Sequence, residues 1–130
     1  MKRFLFVCVH NSGRSQMAEA LCNHLSGGMA TAESAGTEPG ERINPNAVEA
    51  MAEMGMDIGG AAPKLITQEM IDLADRVITM GCAVEESCPA LFLPNVEDWA
   101  LEDPAGKPLA KVREIRDEIA ARVKALLDEG

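Results

Sequence analysis

The spacing of apolar residues along this chain changes period several times, and each change marks an element. Phe4-Leu5-Phe6-Val7 is a short apolar run of strand type and predicts a first strand from Lys2 to Cys8. From Arg14 to about Ser26 the spacing turns helical, with Met17, Leu21 and Leu25 at i, i+4 and i+8, and Gly27-Gly28 ends the helix. Met29 to Ser34 reads as a second strand closed by Ala35-Gly36, and residues 37–44 as a polar loop. Asn44 caps a second helix and Pro45 opens it; Val48, Met51, Ala52 and Met54 form its apolar face, and Gly55 stops it. After a loop at 61–64, Thr67 caps a short helix ending at Leu73, with Glu69 in its first turn. Arg76 to Met80 is a third strand, and residues 81–89 are a loop or an imperfect helix. Leu91-Phe92-Leu93 and Val96 offer a fourth strand, interrupted by Pro94. Asp98 to Pro108 is a loop rich in Asp, Gly and Pro. The longest helix then runs from Leu109 to about Asp128 on the stripe Leu109, Val112, Ile115, Ile119, Val123, Leu126.

Strands alternating with helices predict an α/β fold: a doubly wound, flavodoxin-like parallel sheet of four strands in the order 2-1-3-4, with helices on both faces. The 130 residues suit one domain spanning 1–130, with no internal repeat or linker. Apolar content of 47% and charged content of 25% are those of an ordinary globular chain. A net charge of −9 argues against a nucleic-acid binder, and any anion site must be local. No stretch reaches the ~20 apolar residues of a membrane span. The apolar run after Met1-Lys2-Arg3 stops at Val9 with no small-residue cleavage site at a suitable distance. A cytoplasmic monomer is expected, with the four cysteines reduced at rest and any disulfide transient or catalytic.

The chemistry gathers first at Cys8-Val9-His10-Asn11-Ser12-Gly13-Arg14-Ser15, where a strand ends and a helix begins. A loop there can turn its backbone N–H groups inward, the helix N-terminus adds positive dipole, and Arg14 supplies a fork of donors. Asn11 and Gly13 tolerate the left-handed angles of a tight loop. Val9, His10, Asn11, Ser12, Gly13 and Arg14 are the expected oxyanion cradle, and Cys8 within it is expected to be a thiolate, helped by the Ser15 hydroxyl. A cysteine and an arginine six apart also arise by chance, and a buried free cysteine is usually inert packing. The strand-to-helix junction is what favours chemistry here.

A second group, Cys82-Ala83-Val84-Glu85-Glu86-Ser87-Cys88-Pro89, follows the third strand. In the order 2-1-3-4 that strand lies beside the first, ~4.8 Å away, so Cys8 and Cys82 leave adjacent strands at one edge of the sheet. One thiol in an anion cradle and two more within reach point to thiol–disulfide relay chemistry. As a zinc site the pair is poor, lacking two further ligands that His10 and His24 do not look placed to supply, so no metal is expected. Cys22, inside the first helix, reads as a buried apolar residue.

The Cys8–Ser15 segment resembles the phosphate-binding loop of the low-molecular-weight protein tyrosine phosphatase superfamily, and Arg14-Ser15-Gln16-Met17-Ala18-Glu19-Ala20 resembles its arsenate reductase branch. That branch has a later cysteine pair before a proline and a Trp followed by Asp-Pro-Ala-Gly-Lys. Here these are Cys82 and Cys88, and Trp99 followed by Asp103-Pro104-Ala105-Gly106-Lys107. Related phosphatases carry Asp-Pro followed by tyrosines and lack the cysteine pair; this chain has no Tyr. The resemblance implies Cys8 as nucleophile on arsenate (or phosphate or sulfate as its mimic), Asp103 as general acid/base, and a relay from Cys8 to Cys82 to Cys88. Thioredoxin or a similar thiol protein regenerates the thiols, and no cofactor is implied. Asp103 alone reads equally well as a turn residue before Pro. Two positions depart from the family pattern. Gly13 stands where a cysteine is frequent. Some relatives hold a potassium ion with an Asn, a helix Glu, a Ser and an Asp; Asn11, Glu19 and Ser34 match the first three, and Lys64 takes the fourth, where its ammonium can occupy the cation's place. The alternatives are a phosphatase for tyrosine phosphate or small phosphoesters, using Cys8, Arg14 and Asp103, and a non-catalytic anion-binding redox sensor.

Overall fold

Lys2–Cys8 forms strand β1 of the computed structural model, which describes residues 2–80, 96–99 and 101–129. The elements after it are α1 (Arg14–Leu25), β2 (Ala30–Gly36), α2 (Pro45–Ala52), α3 (Gln68–Leu73), β3 (Arg76–Thr79), β4 (Val96–Asp98) and α4 (Leu109–Glu129). The strands form one parallel sheet in the order β2-β1-β3-β4, as the alternation of strand and helix predicts.

The pleat of β1 divides its side chains between two layers. Phe4, Phe6 and Cys8 face a core with Met17 and Leu21 of α1 and Ile119 and Val123 of α4. Leu5 and Val7 face the other side, against Ile66, Ile71 and Val77. Full burial of each Phe, Leu or Val contributes roughly 1.5–3 kcal/mol, so β1 is held firmly from both faces. Its last residue therefore has a fixed position: Cys8 pairs with Gly36 of β2, and Val7 with Thr79 of β3. The edge of the sheet from which the Cys8 loop leaves is set by this register.

The long helix buries the stripe expected of it, Val112, Ile115, Ile119, Val123 and Leu126, joined by Ala120, with Leu109 half-buried at its start. The α2 segment is tied to α4 where Glu53 accepts hydrogen bonds from Arg113 (2.6 Å) and Arg116 (2.8 Å). Those two guanidinium groups hold the Glu53 carboxyl down at about 2. Asn44 caps α2 by accepting from the Asn46 N–H, and Thr67 caps α3 by accepting from the Met70 N–H, both as expected.

Several boundaries differ from the sequence reading, and β3 ends one residue early, at Thr79. Strand β2 begins at Ala30 and leaves Met29 outside, 79% exposed, and it keeps Ala35 and Gly36 because they pair with Val7 and Cys8. Helix α2 ends at Ala52, and its buried face is Ala47, Ala50 and Met51, while Ala52 and Met54 are exposed. The cause is an early C-cap: Gly55, at φ +80°, lets the Met56 N–H turn back to the Met51 carbonyl at 3.0 Å. Strand β4 includes Asp98, which faces Thr79 in register and accepts the Thr79 hydroxyl at 2.6 Å; the Leu91-Phe92-Leu93 part of the expected strand lies outside the described residues. Among the described residues no helix is long and apolar enough to cross a membrane.

Candidate active site

The loop from Cys8 to Arg14 is shaped from outside. The N–H groups of Thr37, Glu38, Gly40 and Asn44 donate to the carbonyls of Cys8, Val9, His10 and Ser12 at 3.3, 2.8, 2.9 and 2.7 Å. The Met17 N–H takes the Gly13 carbonyl at 2.9 Å as α1 begins. In a trans peptide the N–H points opposite to the C=O. Outward carbonyls at these positions therefore turn the following N–H groups toward the concave side of the loop. The Asn11 N–H does so visibly, donating to Cys8 Sγ at 3.2 Å. The chain passes close enough for this strapping because residue 36 is glycine: a Cβ there would lie 2.5 Å from the Val9 carbonyl oxygen. His10 adds one more tie, its Nδ1 bonded to the Glu38 carbonyl at 3.0 Å; a carbonyl only accepts, so Nδ1 carries the proton.

Cys8 sits at the floor of this loop, 4% exposed. Ser15 Oγ lies 2.9 Å from its sulfur. Asn11 takes the left-handed conformation the loop needs, at φ +52°, and donates from Nδ2 to Ser15 Oγ at 2.8 Å. Its Oδ1 accepts from Gln16 Nε2 at 3.0 Å and from the Lys64 N–H at 2.9 Å. Asn11, Ser15 and Gln16 are all buried. Gln16 is a site residue the sequence reading does not single out; its signal is a polar side chain in the first turn of a helix otherwise buried by Met17, Ala18 and Leu21. By contrast Cys22 is packed in the core, and burial pushes its thiol up to about 11, which removes it from thiol chemistry.

Arg14 is anchored across the sheet edge: Nη1 donates to the Met80 carbonyl at 2.6 Å and to the Leu101 carbonyl at 2.9 Å. Its Nη2 approaches Asp103 Oδ2 to 3.9 Å. Asp103 is a turn residue that also lies beside Arg14. Its Oδ1 accepts the Ala105 N–H at 3.0 Å as a turn residue, and the same side chain, 58% exposed, stands at the mouth of the cleft beside Arg14. Pro104 lies over the loop, and a Cβ on residue 13 would meet its Cγ at 2.8 Å, so Gly13 admits the proline ring. Cys8, His10, Arg14, Asp103 and Pro104 share one cleft of about 280 Å³.

Lys64, Glu19, Ser34 and Asn11 also come together. Lys64 Nζ lies 3.6 Å from Glu19 Oε1, the oxygen that accepts the Ser34 hydroxyl at 2.7 Å, and the Lys64 backbone holds Asn11. Cys82 and Cys88 lie outside the described residues. Among the described residues no cluster of His, Cys, Asp and Glu is arranged to hold a metal ion.

The model of the low molecular weight phosphotyrosine protein phosphatase family matches residues 3–129. Arsenate reductase 2 of Staphylococcus saprophyticus is 38% identical over 129 residues, covering 98% of this chain and 97% of that protein. A solved arsenate reductase in its phosphate-binding state superposes with a TM-score of 0.87 at 37% identity, covering 99% of this chain and 98% of that one. The thioredoxin-dependent arsenate reductase of Corynebacterium glutamicum superposes with a TM-score of 0.82 at 40% identity, covering 99% of this chain and 61% of that one.

Proposed function

The chain belongs to the low molecular weight phosphotyrosine protein phosphatase family, and from that premise we propose that it is an arsenate reductase working by a cysteine relay. The observation that carries the reading is Cys8 at the floor of the cleft, its sulfur bonded by the Asn11 N–H and Ser15 Oγ beside Arg14. The cleft binds arsenate through Arg14 and the loop N–H groups. The Cys8 thiolate attacks arsenic and forms an S–As bond, while Asp103 protonates the departing oxygen, which leaves as water. The Cys82 thiolate then attacks Cys8 Sγ. The Cys8–Cys82 bond forms, the S–As bond breaks, and its electron pair stays on arsenic, which leaves as arsenite. Cys88 attacks Cys82, freeing Cys8 and moving the disulfide to Cys82–Cys88. A thioredoxin-type dithiol reduces that disulfide and is itself oxidised.

The phosphatase reading shares Cys8, Arg14 and Asp103, and the family match favours it equally. The Cys82 and Cys88 pair and the lack of any Tyr favour the reductase reading. Turnover of arsenate with thioredoxin, set beside hydrolysis of an aryl phosphate, separates the two. Cys82→Ser should abolish reduction and leave weak phosphatase activity. Cys88→Ser should release one arsenite per protein and trap a Cys8–Cys82 disulfide visible by mass spectrometry. If both variants keep multiple-turnover reduction, the relay is wrong and the phosphatase reading leads. If the native protein turns over neither substrate, it is an anion-binding redox sensor.

Lys64 takes the part of a bound cation in this reading. Its ammonium lies 3.6 Å from Glu19 and 4.0 Å from Glu33, so a positive charge already stands where a potassium ion would bind. Activity should be indifferent to potassium chloride relative to sodium chloride at equal ionic strength, and Lys64→Asp should make it potassium-responsive. Strong potassium activation of the unmodified protein would refute this role.

A further inference from the structure

We propose that Gln16 is a positioning residue that sets which way round the Asn11 side-chain amide lies, and that this aims the Ser15 proton at Cys8. An amide can usually be turned over with little change in shape, which exchanges its donor for its acceptor. Here the choice is forced. A backbone N–H can only donate, so the Asn11 atom 2.9 Å from the Lys64 N–H is Oδ1. Gln16 Nε2 reaches the same oxygen at 3.0 Å. Gln16 is fixed in turn, because its Nε2 also donates to the Ala62 carbonyl at 3.3 Å. With Oδ1 claimed by two donors, Nδ2 must face Ser15 Oγ, where it lies at 2.8 Å. Ser15 Oγ accepts there, so its own single proton is directed to Cys8 Sγ, 2.9 Å away on its other side. The polarity runs one way, from Gln16 and Lys64 N–H through Asn11 and Ser15 to the sulfur. A hydroxyl donating to sulfur favours thiolate; a hydroxyl turned to donate to an inverted Asn11 gives that up. Gln16, Asn11 and Ser15 are all buried, so water does not substitute for the lost donor.

The inference rests on Cys8 being the nucleophile, and its test reads the thiol without turnover. Gln16→Glu keeps the shape and replaces the donor by an acceptor, which favours the inverted Asn11 amide. Gln16→Met keeps the length and leaves the Lys64 N–H to hold Asn11. Iodoacetamide alkylation on the acidic limb of its pH profile, where the rate follows the thiolate fraction, with peptide mapping to separate Cys8 from the other cysteines, should slow about tenfold or more in Gln16→Glu, the weight of one hydrogen bond to a charged group. The slowing in Gln16→Met should be smaller. A new carboxylate also acts through its field, so the same change is made on Ser15→Ala. If the polarity chain operates, Gln16→Glu slows alkylation markedly less there, and the slowing that remains measures the field. Equal slowing with and without Ser15 overturns the proposal, as does a native alkylation rate in Gln16→Glu. Should Gln16→Glu fail to fold, Gln16→Met decides: slowing that vanishes on Ser15→Ala supports the chain, and no slowing refutes it. A native protein that alkylates in this pattern but does not reduce arsenate would overturn the proposed function and leave this inference standing.

Discussion

Cys8→Ser is expected to abolish arsenate reduction and aryl phosphate hydrolysis together, a loss on the order of 10⁴-fold or more, as for other covalent nucleophiles. The replacement is nearly isosteric and sits where the fold is firmest, at the end of β1 between β2 and β3, so the protein should remain folded. The chemistry fails because the same donors, Asn11 N–H and Ser15 Oγ, then face a hydroxyl that holds its proton far more tightly than a thiol. Anion binding should survive and tighten, since a neutral hydroxyl no longer repels the oxyanion as a thiolate does. Activity assays together with the rise in melting temperature on adding phosphate check both halves. Residual turnover above background would remove Cys8 from the nucleophile's role. Loss of the phosphate-induced stabilisation would show that the loop had collapsed instead.

Arg14→Lys is the second large effect. It keeps the positive charge, so a purely Coulombic cradle would barely notice it. The geometry predicts otherwise. Arg14 Nη1 bridges the Met80 and Leu101 carbonyls, joining the end of β3 to the segment after β4. Lysine has one nitrogen on a flexible stem and cannot hold both carbonyls while presenting a planar fork to an oxyanion. kcat/KM for arsenate should fall by about 10²–10³, the scale of losing a fixed donor in an oxyanion site. Stability should fall by about 1–3 kcal/mol for each buried carbonyl left unpaired. The 3.9 Å approach of Arg14 to the exposed Asp103 adds little to stability, because solvent screens it. A denaturant titration and steady-state kinetics on the same variant measure the two losses. Activity within threefold of native would mean that the loop N–H groups hold the anion without the guanidinium.

Much of this was legible in local sequence. The run Phe4-Leu5-Phe6-Val7 makes a strand and the stripe from Val112 to Leu126 makes a helix, because backbone periodicity decides which side chains share a face. The spacing from Cys8 to Arg14 marks the oxyanion loop, and alternation of strand and helix gives the parallel order. Capping by Asn44 and Thr67 was readable for the same reason: each acts within three residues of itself. Boundaries were less so. Ala35 and Gly36 are strand only because β1 lies beside them, and α2 stops short of Met54 because a Gly55 cap forms with Met51. The inner working of the site belongs to tertiary structure alone. Arg14 is oriented by carbonyls sixty-six and eighty-seven residues away, and Asn11 by a backbone N–H fifty-three residues away. Gly13 is explained by a proline ring that only folding brings over it. The physical reason is one of range. Periodicity and capping act over a few residues and leave their trace in sequence. The direction of a buried hydrogen bond depends on which distant donor arrives, and residue types alone do not encode that.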